Sequence, residues 1–380
     1  MKFVHLSDLH LGKRLNGYSR MEEQQEILNR ILELIQAEQP DAVVIAGDIY
    51  DRPVPPEEAT ALLSTFLMQL HRLDLPVMMI SGNHDSAERI AFAAGLLENS
   101  RIYISPAYDG NVKRVVLSDA AGEVAFHLLP YIKPTDVRRV WPEEAAEVTD
   151  YTSALRVAIR HLDLSAPRNV LAAHLFVTGA ARCDSEELSI GGQDNVDAEV
   201  FSDFDYVALG HLHGPQNVDA QGRIRYCGTP LMYSVSECHQ HKSVTVVSLD
   251  SPGNPEVRTI PLPVPRAVLR VEGAFDELLA GLPGMDPDAY LDFVITDEEE
   301  TPDAVSRLRH RYPHVLSVRY CNSKTRAQES TDLLPAITAE AIDPLSSFED
   351  LFTQQYGRPF SPEQRAYLQQ LIDDLRGDGV

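Results

Sequence analysis

Five apolar runs in the first 213 residues each break off into a short polar motif, and this repeated pattern restricts the possible folds most strongly. The motifs are Ser7-Asp8-Leu9-His10, Gly47-Asp48-Ile49-Tyr50-Asp51, Gly82-Asn83-His84-Asp85, Ala173-His174 and Gly210-His211-Leu212-His213. Residues 42–46 are continuously apolar, as expected of a strand buried on both faces. Residues 21–36 and 57–73 carry apolar side chains at helical spacing. Alternating strands and helices predict an α/β sheet, which binds ligands beyond the carboxyl ends of its strands.

The rest of the first 250 residues extends this pattern. Further elements are predicted as strands at residues 2–6, 76–80, 169–173 and 205–209 and as a helix capped by Ser86 at residues 86–98. Short strands with few helices between them cover residues 114–130 and 223–249. They predict a second, more antiparallel sheet that packs against the first.

A proline-rich segment at residues 260–265 indicates a domain boundary. Beyond it, a small α+β unit of order β-β-α-β is predicted from residues 267–271, 291–296, 303–312 and 315–320. Two amphipathic helices end the chain, one at residues 345–357 and one opened by the capping box Ser361-Pro362-Glu363-Gln364. They either pack on the protein's own core or dock to another protein. The predicted division is therefore 1–264, 265–330 and 331–380.

The chain has 380 residues, 44% of them hydrophobic, and a net charge of −24. Such acidity argues against a protein that coats nucleic acid by its own surface, although bound metal ions would reverse the charge locally. The four cysteines include no C-x-x-C pair, which favours a reducing compartment. The N-terminus shows no apolar signal core, and no apolar stretch reaches membrane-spanning length. We expect a soluble, cytoplasmic protein without a membrane partner.

Every motif carries a carboxylate, carboxamide or imidazole group, and none carries sulfur. This mixture suits two divalent first-row metal ions with open coordination positions better than structural zinc. One such motif alone is more often a turn or a pair of satisfied histidines, but core packing does not require five of them in a chain with only 13 histidines. A paired metal centre activates water for in-line attack, so the motifs predict hydrolysis of phosphate esters.

The motifs also suggest which residue does what. The expected metal ligands are Asp8, His10, Asp48, Asn83, His174, His211 and His213. Because two nearby cations repel each other, an anionic ligand should lie between them, and Asp48 is central enough to bridge. The first motif and one histidine of the last would hold one ion. Asn83, His174 and the other histidine would hold the second, and the sequence leaves open which histidine binds which ion.

The third motif contains two further candidates. His84 directly follows a ligand, so we expect it to face the site without binding metal. It would stabilise the charge of the transition state or protonate the leaving oxygen. Asp85 would orient His84 through a hydrogen bond.

The stretches HLSDLHLGK, AGDIYDRPVPP, SGNHDS, LGHLH and RYCGTPLMYSVSE resemble the calcineurin-like metallophosphoesterase superfamily and, within it, the family of bacterial SbcD nucleases. The resemblance covers essentially the whole chain, including residues 346–374, and is loosest over residues 267–320. It implies a sandwich of two β-sheets flanked by helices, a small α+β cap that contacts DNA, and a C-terminal helical pair. It also implies the same seven metal ligands, His84 as the catalytic histidine, and two ions with manganese preferred over magnesium.

The same resemblance implies an activity and partners. The family cuts DNA ends and hairpins in DNA repair, replication and recombination, with ATP-dependent exonuclease action on duplexes and endonuclease action on single strands. Its partner is an SbcC-type ABC ATPase, whose coiled coil the terminal helices bind. It forms a homodimer within a heterotetramer through helices near the site. Here the candidates are residues 57–73 and 86–98, for which packing onto the sheet is the competing interpretation.

Some features favour other functions. The acidic run Asp297-Glu298-Glu299-Glu300 lies beside three arginines of the next helix, so we expect weak DNA binding without the partner. The pair Asp51-Arg52 resembles protein phosphatases, although Pro53 replaces their usual glycine. A phosphatase or small-molecule phosphodiesterase is therefore one alternative. A non-catalytic scaffold protein is another, which an eroded ligand set would have supported.

Overall fold

The structure is a computed structural model that describes residues 1–183, 195–323, 325, 345, 348–349, 352 and 358–377. Most of the helix predicted at residues 345–357 lies outside the described residues. The chain divides into two compact units. The first consists of Met1–Val294 and Thr301–Arg319, and the second of Ile295–Glu300 and Tyr320–Val380.

The strands are, in chain order, β1 (Lys2–Leu6), β2 (Arg14–Leu15), β3 (Tyr18–Ser19), β4 (Ala42–Ala46), β5 (Val77–Ile80), β6 (Ile102–Ile104), β7 (Lys113–Asp119), β8 (Gly122–Leu128), β9 (Arg168–His174), β10 (Phe176–Val177), β11 (Asn195–Val196), β12 (Tyr206–Gly210), β13 (Gln216–Asn217), β14 (Ile224–Tyr226), β15 (Ser243–Ser248), β16 (Glu256–Pro261), β17 (Val268–Gly273), β18 (Tyr290–Ile295) and β19 (Val315–Tyr320). The helices are α1 (Met21–Glu38), α2 (Glu57–Arg72), α3 (Ala87–Ile90), α4 (Ala94–Leu97), α5 (Pro134–Val140), α6 (Tyr151–Arg160), α7 (Phe275–Ala280), α8 (Ala304–Arg311) and α9 (Pro362–Gly377). Short 3₁₀ turns lie at Glu98–Ser100, Pro142–Glu147, Ala198–Phe201 and Val235–Glu237.

Two six-stranded sheets form the body of the first unit. The first sheet has the order β16-β15-β1-β4-β5-β6, and the second has the order β13-β14-β12-β9-β8-β7. In the first sheet, β1, β4, β5 and β6 run parallel. In the second sheet, β8, β9, β12 and β14 run parallel. The five predicted polar motifs therefore lie at or directly after the carboxyl ends of parallel strands in both sheets.

The two sheets stack face to face and share one core. Alternating side chains of β1 illustrate this, because Phe3 lies in the core between the sheets whereas Val4 lies in the core beneath α1 and α2. The Phe3 ring meets Phe126 of the second sheet edge to face, with ring centroids 5.4 Å apart. A third core lies between the second sheet and helices α5 and α6. The body of the first unit is thus an α/β sandwich of two sheets flanked by helices, as predicted.

After residue 264 the chain forms a small α+β unit with its own sheet. Strands β17, β18 and β19 make a three-stranded sheet with β18 in the centre. The sequence did not predict α7, so the observed order is β-α-β-α-β. The ring of Tyr290 in β18 lies against the guanidinium of Arg20, with 4.7 Å between Cζ and the ring centroid, and its hydroxyl donates to Glu23 at 3.0 Å. The three-stranded sheet therefore packs on the beginning of α1.

Two predictions about local structure are wrong. The helix predicted at residues 86–98 is broken into α3, α4 and a 3₁₀ turn, because Ala93 adopts a left-handed backbone conformation with φ of 60°. The second sheet is no more antiparallel than the first, because each sheet has three parallel and two antiparallel strand pairs. Strand β15, expected in the second sheet, pairs with β1 in the first. An apolar strand pattern defines which face is buried but not which strand is the neighbour.

In the second unit, the predicted capping box opens α9. The Ser361 backbone N–H donates to Gln364 Oε1 at 3.0 Å, and the Gln364 N–H donates to Ser361 Oγ at 3.2 Å. These bonds satisfy two backbone donors that a helix start would otherwise leave unpaired. None of the helices among the described residues is long and apolar enough to cross a membrane.

Candidate metal centre

All seven predicted ligands meet at the carboxyl ends of five strands from both sheets. Asp8 and His10 follow β1, Asp48 follows β4 and Asn83 follows β5. His174 ends β9, and the two remaining histidines follow β12. Asp8, His10, Asp48, His174 and His213 are at most 2% exposed, and His211 is 9% exposed. Such burial of so many polar groups requires compensation from other groups.

One cluster of donors contains Asp8, His10 and His213, whose ligand atoms all lie within 4.8 Å of one another. The Nε2 atoms of His10 and His213 are 3.2 Å apart. His10 Nε2 also lies 3.6 Å from Asp48 Oδ2. This group brings one carboxylate and two imidazoles to one point, with Asp48 at its edge.

A second cluster lies on the other side of Asp48. Asn83 Oδ1 lies 3.1 Å from His174 Nε2 and 3.1 Å from His211 Nδ1. His174 Nε2 is also 3.3 Å from Asp48 Oδ2. The same Asp48 oxygen therefore faces both clusters, and the two histidines of the last motif separate, with His213 in the first cluster and His211 in the second.

The backbone is strained at these ligands. Asp8, His10, Asp48 and His211 have positive φ angles of 52°, 43°, 49° and 104°. Hydrogen bonds between loops hold this conformation, including Asp8 N to Gly47 O at 3.0 Å and His10 N to Asp48 O at 3.0 Å. Non-glycine residues in this region cost about 1–3 kcal/mol each and persist only where the surroundings impose them, which is typical of functional sites.

Gly210 is required where the two sheets meet beneath the site. A Cβ atom at this position would lie 2.0 Å from the Ala46 carbonyl oxygen and 2.6 Å from His174 Nδ1. The missing side chain lets His174 Nδ1 approach the Ala46 carbonyl to 2.9 Å. Since a carbonyl only accepts, Nδ1 donates this bond, and Nε2 is the nitrogen that faces the cluster.

Burial and neighbouring charges shift the ionisation of the cluster in opposite directions. Burial raises the pKa of the Asp8 carboxyl to about 6. Burial also raises the pKa of Asp48, but the adjacent His174 and His10 outweigh it and hold that pKa well below the usual range. Burial lowers the pKa of His10 and of His211, the latter to about 3, so these rings are neutral with a free lone pair. Burial lowers the pKa of His174, but the Asp48 charge reverses the effect and raises it to about 9.

His84 faces the site, whereas the side chain of Asp85 hydrogen-bonds to backbone groups of the neighbouring loops. His84 Nδ1 lies 3.2 Å from the Asp51 carbonyl, to which it donates, and His84 Nε2 lies 3.9 Å from Asp48 Oδ2. The Asp85 carboxylate instead accepts from the backbone N–H groups of Ile49, Tyr50 and Gly82 at 2.9–3.0 Å. The predicted hydrogen bond from Asp85 to His84 is therefore wrong. Asp85 holds the second and third motif loops together, because its carboxylate accepts hydrogen bonds from the backbone of both.

The donor set fits two divalent cations. Two carboxylates, one carboxamide oxygen and four imidazoles converge here, and their atoms approach one another as ligands of a shared ion do. The buried His10 Nδ1 has no hydrogen-bond partner among the described residues. In addition, a proton held on His174 and a metal ion at its Nε2 would compete for the same lone pair.

Glu237 lies outside the five predicted motifs and contacts His213 from behind. Glu237 is 0% exposed, and its Oε1 lies 3.1 Å from His213 Nδ1. Cys183, His213 and Glu237 also lie close enough together to suggest a third metal group. However, both oxygens of Glu237 already accept hydrogen bonds from the protein, so this group is a poor ligand set. Only the stretch RYCGTPLMYSVSE, which ends in Glu237, hinted at this residue in the sequence.

The fold and the convergent donors define a metal-dependent phosphoesterase, and the comparisons with known proteins agree. Residues 1–215 match the calcineurin-like phosphoesterase family, and residues 264–356 match the type 5 capsule protein repressor C-terminal domain. The chain is 33% identical to the SbcD component of the nuclease SbcCD from Staphylococcus saprophyticus, over 100% of both chains. It is also 33% identical to the SbcD component of the same nuclease from Staphylococcus epidermidis, over 84% of this chain and 85% of that one.

The chain belongs to the calcineurin-like phosphoesterase family and, within it, to the SbcD components of SbcCD nucleases. This confirms the predicted family, the fold class and a metal-dependent phosphodiesterase. A solved structure, a dimetal phosphatase from Danio rerio, covers 69% of this chain and 99% of its own at 16% identity. The two structures have a TM-score of 0.39.

Proposed function

We propose that this protein is the DNA-cutting component of a nuclease complex and hydrolyses phosphodiesters at DNA ends and hairpins. With an SbcC-type ATPase it would act as an ATP-dependent double-strand exonuclease and a single-strand endonuclease, in DNA repair, replication and recombination. The observation that carries the proposal is the pair of donor clusters on either side of Asp48. The two relatives along 84% and 100% of the chain, both nucleases by name, supply the substrate class.

The proposed ligand sets follow the two clusters. One ion would be held by Asp8, His10 and His213, the other by Asn83, His174 and His211, with Asp48 shared. Manganese fits imidazole mixed with carboxylate better than magnesium, which prefers oxygen ligands. When bound, the two ions would polarise the phosphate and lower the pKa of water.

The chain's own groups would supply the rest of the chemistry. His84 is anchored through Nδ1 to the Asp51 carbonyl, so its Nε2 stays directed at the site. From there it would donate a hydrogen bond to a phosphate oxygen or a proton to the leaving oxygen. Asp51 is itself held by Lys13, whose Nζ donates to Asp51 Oδ1 at 2.8 Å. His84 also lies close enough to His10 and Asp48 to share an ion with them, but this chain of contacts would keep it in place to act on the phosphate.

The proposed domains have separate roles. Residues 1–264 would form the nuclease domain, 265–330 the DNA-contacting cap, and 331–380 the linker and helices that bind the ATPase coiled coil. The four cysteines, Cys183, Cys227, Cys238 and Cys321, include no C-x-x-C pair, which favours a reducing cytoplasm as the working compartment.

Exposed apolar side chains near the site support a homodimer. Met68 on α2 is 50% exposed, and Phe92 and Leu96 beside α3 and α4 are 81% and 74% exposed. Met68 and Phe92 line an apolar groove of about 390 Å³ between these helices. Phe92→Asp combined with Leu96→Asp should produce monomers by sedimentation velocity. Val305→Asp, at an exposed apolar side chain of α8, is the control. A dimer that persists in the double variant would reject this interface.

The nuclease proposal is tested with a labelled DNA hairpin and small phosphoesters in manganese. Wild-type protein should cut the hairpin, and His84→Ser should abolish cutting while two metal ions remain bound by elemental analysis. Loss of metal in the variant would show that His84 is a ligand. Turnover of small esters without DNA cleavage, even with the SbcC-type ATPase and ATP present, would indicate a small-molecule phosphodiesterase.

The role of the tail is tested separately. A chain ending at residue 340 should lose binding to the ATPase but retain cleavage of a small phosphodiester. Retained binding would show that residues 341–380 are not the tether.

A further inference from the structure

Behind His213, on the side away from His10, lies a fully buried ion pair between Glu237 and Lys242. We propose that Glu237 is a positioning residue that selects the tautomer of His213, and thereby sets the affinity of one metal position. The inference rests on the proposed function, because it assumes that His213 Nε2 is a metal ligand. It assigns a role to a residue that touches neither substrate nor metal.

The contacts of Glu237 leave its carboxylate little freedom. Oε1 accepts from His213 Nδ1 at 3.1 Å and from the Tyr233 backbone N–H at 3.1 Å. Oε2 accepts from Lys242 Nζ at 2.6 Å and from Thr229 Oγ1 at 3.2 Å. Glu237 and Lys242 both have side chains that are 0% exposed. Because both charges are buried and paired, the carboxylate stays ionised and can only accept.

The Glu237 carboxylate beside Nδ1 determines which nitrogen of the His213 ring carries the hydrogen. His213 must carry its hydrogen on Nδ1 to bond with Glu237, so in the neutral ring the lone pair is on Nε2. Nε2 is the atom that lies 3.2 Å from His10 Nε2, inside the first cluster. The opposite tautomer would direct an N–H into the place of the metal ion. A carboxylate behind a histidine ligand also raises its basicity, and loss of such a partner typically weakens metal binding about 10–100-fold.

The same ion pair also holds the backbone of His213. Lys242 Nζ and the Thr229 backbone N–H each donate to the His213 carbonyl at 3.1 Å. Gly228 allows this approach, since a Cβ there would lie 2.7 Å from that carbonyl oxygen. Both the ring and the main chain of His213 are thus fixed from one side. A buried ion pair adds little net stability compared with apolar side chains, so its contacts with His213 are its main effect.

The test is Glu237→Gln, which keeps the size but not the double acceptor. If the amide oxygen faces His213, the amide N–H₂ takes the place of the oxygen that accepts from Lys242 Nζ, and two donors face each other. If the N–H₂ faces His213, it drives the proton to Nε2. Manganese binding should therefore weaken about 10–100-fold at one of two positions, with the other unchanged. Calorimetric titration measures the affinities, and electron paramagnetic resonance should show loss of the coupled two-manganese signal at limiting metal.

The control is Asp119→Asn, which breaks a partly buried ion pair away from the site. Asp119 pairs with the buried Arg168 at 2.6 Å, so this variant should lose stability and bind manganese as wild type does. If Glu237→Gln binds both ions with wild-type affinity, the inference is wrong. If wild type itself binds no pair of manganese ions, the proposed function fails first.

A measurement on the unaltered protein covers the case in which Glu237→Gln does not fold. Nitrogen-15 chemical shifts of the metal-free protein, assigned with His213→Gln, should show His213 protonated at Nδ1 and not at Nε2. An Nε2–H tautomer would overturn the proposal regardless of how any variant behaves.

Discussion

Gly82→Ala should damage the metal centre, although it adds only one methyl group and Gly82 is not itself a proposed ligand. A Cβ at residue 82 would lie 2.1 Å from Asp48 Oδ1, 2.5 Å from Asp48 N and 2.7 Å from Asp48 Cγ. Real Cβ atoms essentially never approach closer than 3.0 Å, so the Asp48 carboxylate or the Gly82 loop must move by about 1 Å. Asp48 Oδ2 is the atom shared by both clusters, at 3.3 Å from His174 and 3.6 Å from His10.

A displacement of about 1 Å in a catalytic site costs about 10²-fold in rate, and overpacking costs about 1–3 kcal/mol of stability. We therefore expect kcat/KM for manganese-dependent phosphodiester hydrolysis to fall about 100-fold, or about 2.7 kcal/mol in transition-state stabilisation. The free energy of unfolding should fall by at most about 3 kcal/mol, so the protein still folds.

The assay compares kcat/KM and bound manganese in wild type, Gly82→Ala and Gly95→Ala. Gly95 is the matched control, because a Cβ there meets no atom within 4 Å. Activity within twofold of wild type in Gly82→Ala, with the same metal content, would refute the claim that Asp48 depends on this close contact.

Asp119→Asn should lower the free energy of unfolding at neutral pH by about 1–3 kcal/mol, because hydrogen bonds from Arg168 hold the pKa of Asp119 well below its usual range. The stabilisation is present above the unfolded pKa of about 3.9 and is lost as pH falls towards the folded pKa. Denaturant titrations should therefore show the free energies of unfolding of wild type and Asp119→Asn converging below about pH 4. A constant difference between them down to about pH 2 would contradict this. Manganese at about 100 times its dissociation constant should raise the free energy of unfolding by about 2.7 kcal/mol for each site, and a chelator should remove the gain. Thermal melts measure this shift, which Asp48→Asn should largely lose; an equal shift in that variant would separate metal binding from Asp48.

The local sequence pattern was sufficient to predict those elements whose structure depends mainly on their own residues. Residues 2–6 and 42–46 are strands within the predicted bounds. The continuous apolar run at residues 42–46 suits a strand buried on both faces. The capping box at Ser361 has both its predicted hydrogen bonds, since its donors and acceptors are three residues apart. The polar motifs at strand ends converge as predicted, because parallel strands share the edge at which they end.

Contacts between distant residues decided the rest. The sequence by itself determined the kind of chemistry, because the residue types in the five motifs limit the ligands. Only the tertiary structure separated His211 from His213, since residues two apart beyond a strand end can turn to either cluster. It also redirected Asp85 to backbone donors 35 and 36 residues away, and brought Glu237 behind His213 from 24 residues away. Such pairings arise from how the loops pack, and periodicity along the chain carries no information about them.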